Sequence, residues 1–100
     1  NRKASVTKYI FSNTKSGDDQ LNKVLKTLKK GDIVQYDENG YRHTVMITEE
    51  GNNMNHVYYS AHNRARNHAP MTIFVNQVKI KCELYTLPDF YSIYIIKMKK

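Results

Sequence analysis

The clearest periodic signal is helical: Leu21, Val24, Leu25 and Leu28 fall at i, i+3, i+4 and i+7 and line one helical face. The pattern predicts a helix from Asp19 to Lys30. Ser16, Asp18 and Asp19 offer oxygens to the free N–H groups of its first turn, and Lys29 and Lys30 complement the negative end of its dipole. Gly31 stops it, because glycine adopts the left-handed conformation that closes a helix at little cost. Ahead of this element, residues 1–15 alternate only weakly, with Val6, Tyr9, Ile10 and Phe11 as their sizeable apolar groups. They read as an extended arm or a loose strand, and residues 1–18 are set apart as an arm.

After Gly31 the period switches to two. Ile33 to Tyr36 reads as a strand, Asp37-Glu38-Asn39-Gly40 as a tight reversal, and Tyr41 to Thr48 as the returning strand of a hairpin. Alternation places Tyr41, His43, Val45 and Ile47 on one face and Arg42, Thr44, Met46 and Thr48 on the other. Gly51, Asn52 and Asn53 suggest a further turn, followed by a third strand from Met54 to Ser60. Residues 61–70 are too polar for a packed element and end in a proline, so they are expected to form an irregular loop. Val78, Ile80, Cys82 and Leu84 alternate as a strand, Pro88 and Asp89 turn the chain, and Tyr91, Ile93 and Ile95 alternate in a last strand. The expected fold is α+β: one N-terminal helix followed by an antiparallel sheet of about five strands, over residues 19–100.

Composition adds three constraints. One hundred residues suit a single compact core. Sixteen Lys and Arg against nine Asp and Glu give a net charge of +7, which favours anionic partners such as nucleic acid or an acidic polymer. Much of that charge, including Lys23, Lys26, Lys29 and Lys30, follows one helix face and also fits plain solvation. A single cysteine forms no internal disulfide, and the absence of a long apolar run argues against a membrane-spanning helix. The first residue is Asn1 and not Met, which suggests a piece of a longer protein.

Among candidate chemical groups, His43 and His62 stand out. If the second and third strands pair, His43 near the start of one approaches His62 just past the end of the other. Such a pair fits hydrolysis, because one imidazole accepts a nucleophile's proton while a second polar group fixes its tautomer. The plainer reading is a core histidine on a half-buried strand. Zinc on His43, His62 and His68 lacks the ligand spacing of known sites, so no metal is expected. Cys82, between Ile80 and Leu84, reads as a core residue with a suppressed thiol. Eight tyrosines among sixteen basic residues leave a second function open, a basic Tyr-rich binding module for nucleic acid or another anionic polymer.

Three blocks then fall in order: Leu28-Lys29-Lys30-Gly31-Asp32-Ile33-Val34-Gln35-Tyr36, His43-Thr44-Val45-Met46-Ile47-Thr48, and Tyr58-Tyr59-Ser60-Ala61-His62-Asn63. Together they resemble the putative amidase domain family, within the papain-like cysteine hydrolases. The resemblance implies the C-terminal half of a papain-like fold, with His43 as general base, His62 as the residue orienting it and Asn63 as a less favoured substitute. It also implies a nucleophilic cysteine at the start of an upstream helix. Residues 1–30 contain no cysteine, and Cys82 follows both histidines, so the chain supplies no nucleophile in the family's order.

The resemblance therefore implies either the His-bearing half of a cysteine amidase or peptidase, inactive alone, whose partner is the missing N-terminal half carrying the thiol, or a degenerate homologue that has lost its nucleophile and only binds. A peptide or peptidoglycan-like substrate follows by analogy, with Arg42, Arg64 and Arg66 favouring an anionic one, and no cofactor is implied. Relatives of this kind suggest a bacterial, secreted or envelope-associated protein. Without the upstream helix, the sheet is expected to expose Val45, Ile47 and Val57 and to associate as a homodimer through that face.

Overall fold

A computed structural model describes residues 4–38, 41–61, 67–85 and 90–98. They form an α+β fold with a six-stranded antiparallel sheet and two helices. In chain order the elements are β1 (Ala4–Ser12), α1 (Lys15–Leu25), β2 (Ile33–Glu38), β3 (Tyr41–Glu49), β4 (Tyr58–Ala61), β5 (Asn67–Pro70), α2 (Met71–Tyr85) and β6 (Phe90–Met98). The strands lie in the order β1-β6-β2-β3-β4-β5. Residues 4–12, weakly alternating in sequence, are thus a strand of the sheet, paired with β6 from Ala4↔Met98 to Ser12↔Phe90.

α1 starts earlier and stops earlier than its apolar spacing suggests. Thr14, not Ser16 or the aspartates, caps it by accepting a hydrogen bond from Gly17 N–H at 3.2 Å. After Leu25 the chain tightens into i→i+3 bonds, Thr27 N–H to Val24 and Leu28 N–H to Leu25, which still deliver Leu28 to the core. Gly17 is sterically required: a Cβ there would lie 1.8 Å from the Ser12 carbonyl oxygen, where the end of β1 turns into the helix.

The main departure from the sequence pattern is α2. Residues 78–84, whose alternation suggests a strand, belong to a fifteen-residue helix, and Cys82 lies on that helix. The physical reason is a competing period. Met71, Phe74, Val75 and Val78 are spaced i, i+3, i+4 and i+7 and are all buried, so the helical face outweighs the shorter period-two run beyond it. Two more differences follow. The third strand begins at Tyr58, residues 52–56 being turns and bends, and the polar stretch 61–70 ends in β5.

Both helices cover the same side of the sheet. Leu21, Leu25 and Leu28 from the first, and Met71, Phe74, Val75 and Val78 from the second, join Val34, Tyr36, Val45, Ile47, Tyr59, Tyr91, Ile93 and Ile95 in one core. A salt bridge of 2.8 Å from Lys79 Nζ to Asp18 Oδ1 links the helices, and the same ammonium lies over the Tyr91 ring. The expected apolar patch on Val45, Ile47 and Val57 is therefore absent, because these residues are fully covered. Among the described residues the exposed large apolar groups are Val6, Ile10, Met46 and Phe90. Register aligns Val6 with Ile96, Ile96 with Ile33 and Ile33 with Met46 in one row across four strands of the opposite face.

Candidate functional site

His43 sits on β3 opposite Tyr36 of β2. It shares the helix-covered face with Val45 and Ile47, as alternation predicts, but lies nearer the strand's start, where cover is partial. The missed helix supplies its neighbour. The imidazole stacks on Phe74, with centroids 5.1 Å apart and planes inclined by 24°, and Phe74 in turn meets the edge of Tyr59 at 6.0 Å. The Nε2 atom is buried. His43 is thus a partly exposed residue whose Nε2 is shielded from water, in a niche built by β2, β3, β4 and α2.

The Gly31-Asp32 step serves to place that strand. Gly31 takes φ +92°, and its N–H donates to Ile47 C=O at 2.9 Å, while Ile47 N–H donates to Asp32 C=O at the same distance. The Asp32 carboxylate is nearly buried and accepts from Lys29 N–H at 2.8 Å and from Lys97 Nζ at 3.1 Å. Lys97 also donates to Thr27 C=O at 2.9 Å, so the turn after α1 is tied to β6. These two residues lock helix, hairpin and final strand together, and their role here is structural.

His62 and Asn63, together with Arg64 and Arg66, lie outside the described residues. Cys82 is eight residues beyond Phe74 on α2, about 12 Å along the helix axis. Arg42 is exposed and spends its guanidinium on Asp37, at 3.1 and 3.2 Å. His68 belongs elsewhere: it stacks on Tyr58 at 4.6 Å, its Nδ1 is 3.0 Å from Thr48 Oγ1, and its Nε2 is 3.4 Å from Glu49 Oε1. Thr48 is five residues past His43 on β3, about 17 Å along the strand, so these two imidazoles do not share a metal. Among the described residues no cluster of three or more His, Cys, Asp or Glu is arranged to hold a metal ion.

A shallow groove of about 230 Å³ opens on the outer face of the sheet, lined by Ile33, Thr44, Val45, Met46, Ser60 and Ala61. It lies behind the strand from His43, and no titratable side chain lines it. Three tyrosines that sequence alone leaves free for stacking, Tyr36, Tyr59 and Tyr91, are buried in the core.

A family model described as "Putative amidase domain" matches residues 3–85. The chain belongs to that family. The match spans β1 to α2 and so includes the Gly31-Asp32 turn, His43 and the helix carrying Phe74. Membership makes this an amide hydrolase-related domain. Searches of curated proteins and of solved structures found no match. Among the described residues no helix is long and apolar enough to cross a membrane.

Proposed function

We propose that the chain provides the histidine side of a cysteine-dependent amide hydrolase, the C-terminal half of a papain-like domain, with His43 as its acid–base residue. The observation that carries this reading is the placement of His43: a strand imidazole in the family's motif, stacked on Phe74, with Nε2 withdrawn from solvent. A dry aromatic niche holds a ring in one orientation and strengthens its electrostatic coupling to a neighbouring thiol. His62 orients the ring in this proposal, and Asn63 is the substitute.

The nucleophile in this proposal is a cysteine on an upstream segment, since Cys82 follows both histidines in the chain. In the reaction, the thiolate attacks the amide carbonyl carbon to form a tetrahedral adduct. As the C–N bond breaks, the imidazolium of His43 gives its proton to the departing amine. The neutral ring then takes a proton from water, whose oxygen displaces the thiolate and releases the carboxylic acid. The substrate class in this proposal is a peptide or peptidoglycan-like amide, and the chemistry requires no cofactor.

The test is amide hydrolysis by the product of the whole open reading frame, using peptide anilides and muropeptides. His43→Ala is expected to lower kcat/KM by about 10²–10⁴-fold, the usual worth of a positioned acid–base group, and iodoacetamide is expected to abolish activity. Full activity in His43→Ala would sink the assignment, as would indifference to alkylation. The Tyr-rich binding reading loses ground on the burial of Tyr36, Tyr59 and Tyr91.

A further inference from the structure

β1 is one of the two outermost strands of the sheet, and among the described residues it pairs only with β6. Over nine residues its other side has no strand partner among the described residues. Proteins usually blunt such an edge with a bulge, a covering segment or an outward lysine, because an open edge accepts further strands. Among the described residues neither a bulge nor a covering strand lies at this edge. The β1–β6 register runs without a shift. Lys8, the only charged residue of the strand, lays its Nζ 5.7 Å from the centroid of Tyr94 on β6, inward over the sheet. Two residues to either side on the same face, Val6 and Ile10 are 59% and 64% exposed.

The geometry points to strand addition at β1, and we propose that the edge binds an extended acidic peptide segment with the pattern apolar-x-acidic-x-apolar. Its apolar residues lie across from Val6 and Ile10, and its carboxylate lies across from Lys8. Main-chain hydrogen bonds to the edge supply affinity, and the alternate side chains supply selectivity. The charge pattern argues against a second copy of the chain as occupant. The antiparallel self-pairing that sets Val6 opposite Ile10 also sets Lys8 opposite Lys8, and like charges directly across a ladder are destabilising. The net charge of +7 acts in the same direction.

Fluorescence anisotropy of labelled nonapeptides tests this on the protein as it stands. Ser-Thr-Ile-Thr-Glu-Thr-Val-Thr-Ser is expected to bind at least tenfold more tightly than the same peptide with Lys in place of Glu. Lys8→Glu alters only an exposed side chain, and it is expected to reverse that preference. N-methylation of alternate peptide residues on the paired side is expected to abolish binding. Equal affinities for the two peptides would overturn the proposal. So would a preference unchanged by Lys8→Glu, binding that survives N-methylation, or self-association through β1 with no peptide bound at millimolar concentration.

Discussion

Thr48 and His68 are the extra residues of two bulges that flank β4, and their side chains meet. Ile47 pairs with Tyr59 and Glu49 with Tyr58, which leaves Thr48 unmatched on β3. Tyr59 pairs with Ala69 and Ser60 with Asn67, which leaves His68 unmatched on β5. Thr48 Oγ1 and His68 Nδ1 then lie 3.0 Å apart, while the His68 ring covers Tyr58 of the strand between them. A bulge often marks a place where a sheet redirects a neighbouring segment. Here a three-strand clip fixes both strands that border residues 62–66.

The clip carries local strain, since His68 has φ +78°, a conformation natural to glycine. His68→Gly gives up the ring stack and the Thr48 contact but relieves that strain, so stability is expected to change by no more than about 1 kcal/mol. His68→Val loses the same contacts and worsens the strain, at a cost of about 2–3 kcal/mol. Urea unfolding of the two variants decides it. A Val variant as stable as the Gly variant would remove the claim of strain.

Asp32 gathers a main-chain N–H and the Lys97 ammonium around one nearly buried carboxylate oxygen. Asp32→Ala strands both donors, and the expected loss is about 2–3 kcal/mol, in the range for hydrogen bonds to a charged group. Lys97→Met keeps the bond to Lys29 N–H and should lose about 1 kcal/mol. Chemical denaturation that ranked the two variants in reverse would contradict the geometry.

Gly17→Ala tests the junction of β1 and α1. With 1.8 Å between the added Cβ and the Ser12 carbonyl oxygen, one backbone segment must move. A loss of about 2–3 kcal/mol is expected, against the gain in helix propensity that alanine ordinarily brings. Thermal unfolding at or above the wild-type midpoint would show that the close approach is not real.

Phe74 links the core to the His43 ring. Phe74→Ala is expected to destabilise by about 3–4 kcal/mol, as large-to-small changes in packed cores do. Phe74→Leu keeps most of the volume and removes the stack, so stability should fall by about 1–1.5 kcal/mol. Carbon relaxation of the His43 ring should meanwhile report faster motion. An imidazole equally rigid in the leucine variant would mean that the stack does not hold it.

The local parts of this architecture are legible in the sequence. The β2–β3 hairpin and the inward set Tyr91, Ile93 and Ile95 follow from alternation, and the turn after α1 follows from Gly31. His43 is placed on its correct face by the same rule. What eludes a local reading depends on distant partners. β1 is weakly patterned because half of its apolar groups face outward, and only β6 defines it as a strand. The second helix is hidden because Val78 belongs to both a helical and an alternating series, although Pro70 followed by Met71, Phe74 and Val75 signals the helix start. Since α2 supplies Phe74, missing the helix also means missing the neighbour that shields His43. The Thr48–His68 contact leaves no short-range signature, because each bulge is defined only by its pairing with β4.

β6 lies between β1 and β2 in space but is last of the three in the chain. During synthesis, β1 therefore meets the strand it pairs with among the described residues only after residues 90–98 have left the ribosome. The helix–hairpin segment from α1 to β3 can gather as it emerges, whereas completion of the sheet is necessarily a late event, and a ribosome that stalls before Phe90 leaves β1 without its β6 ladder.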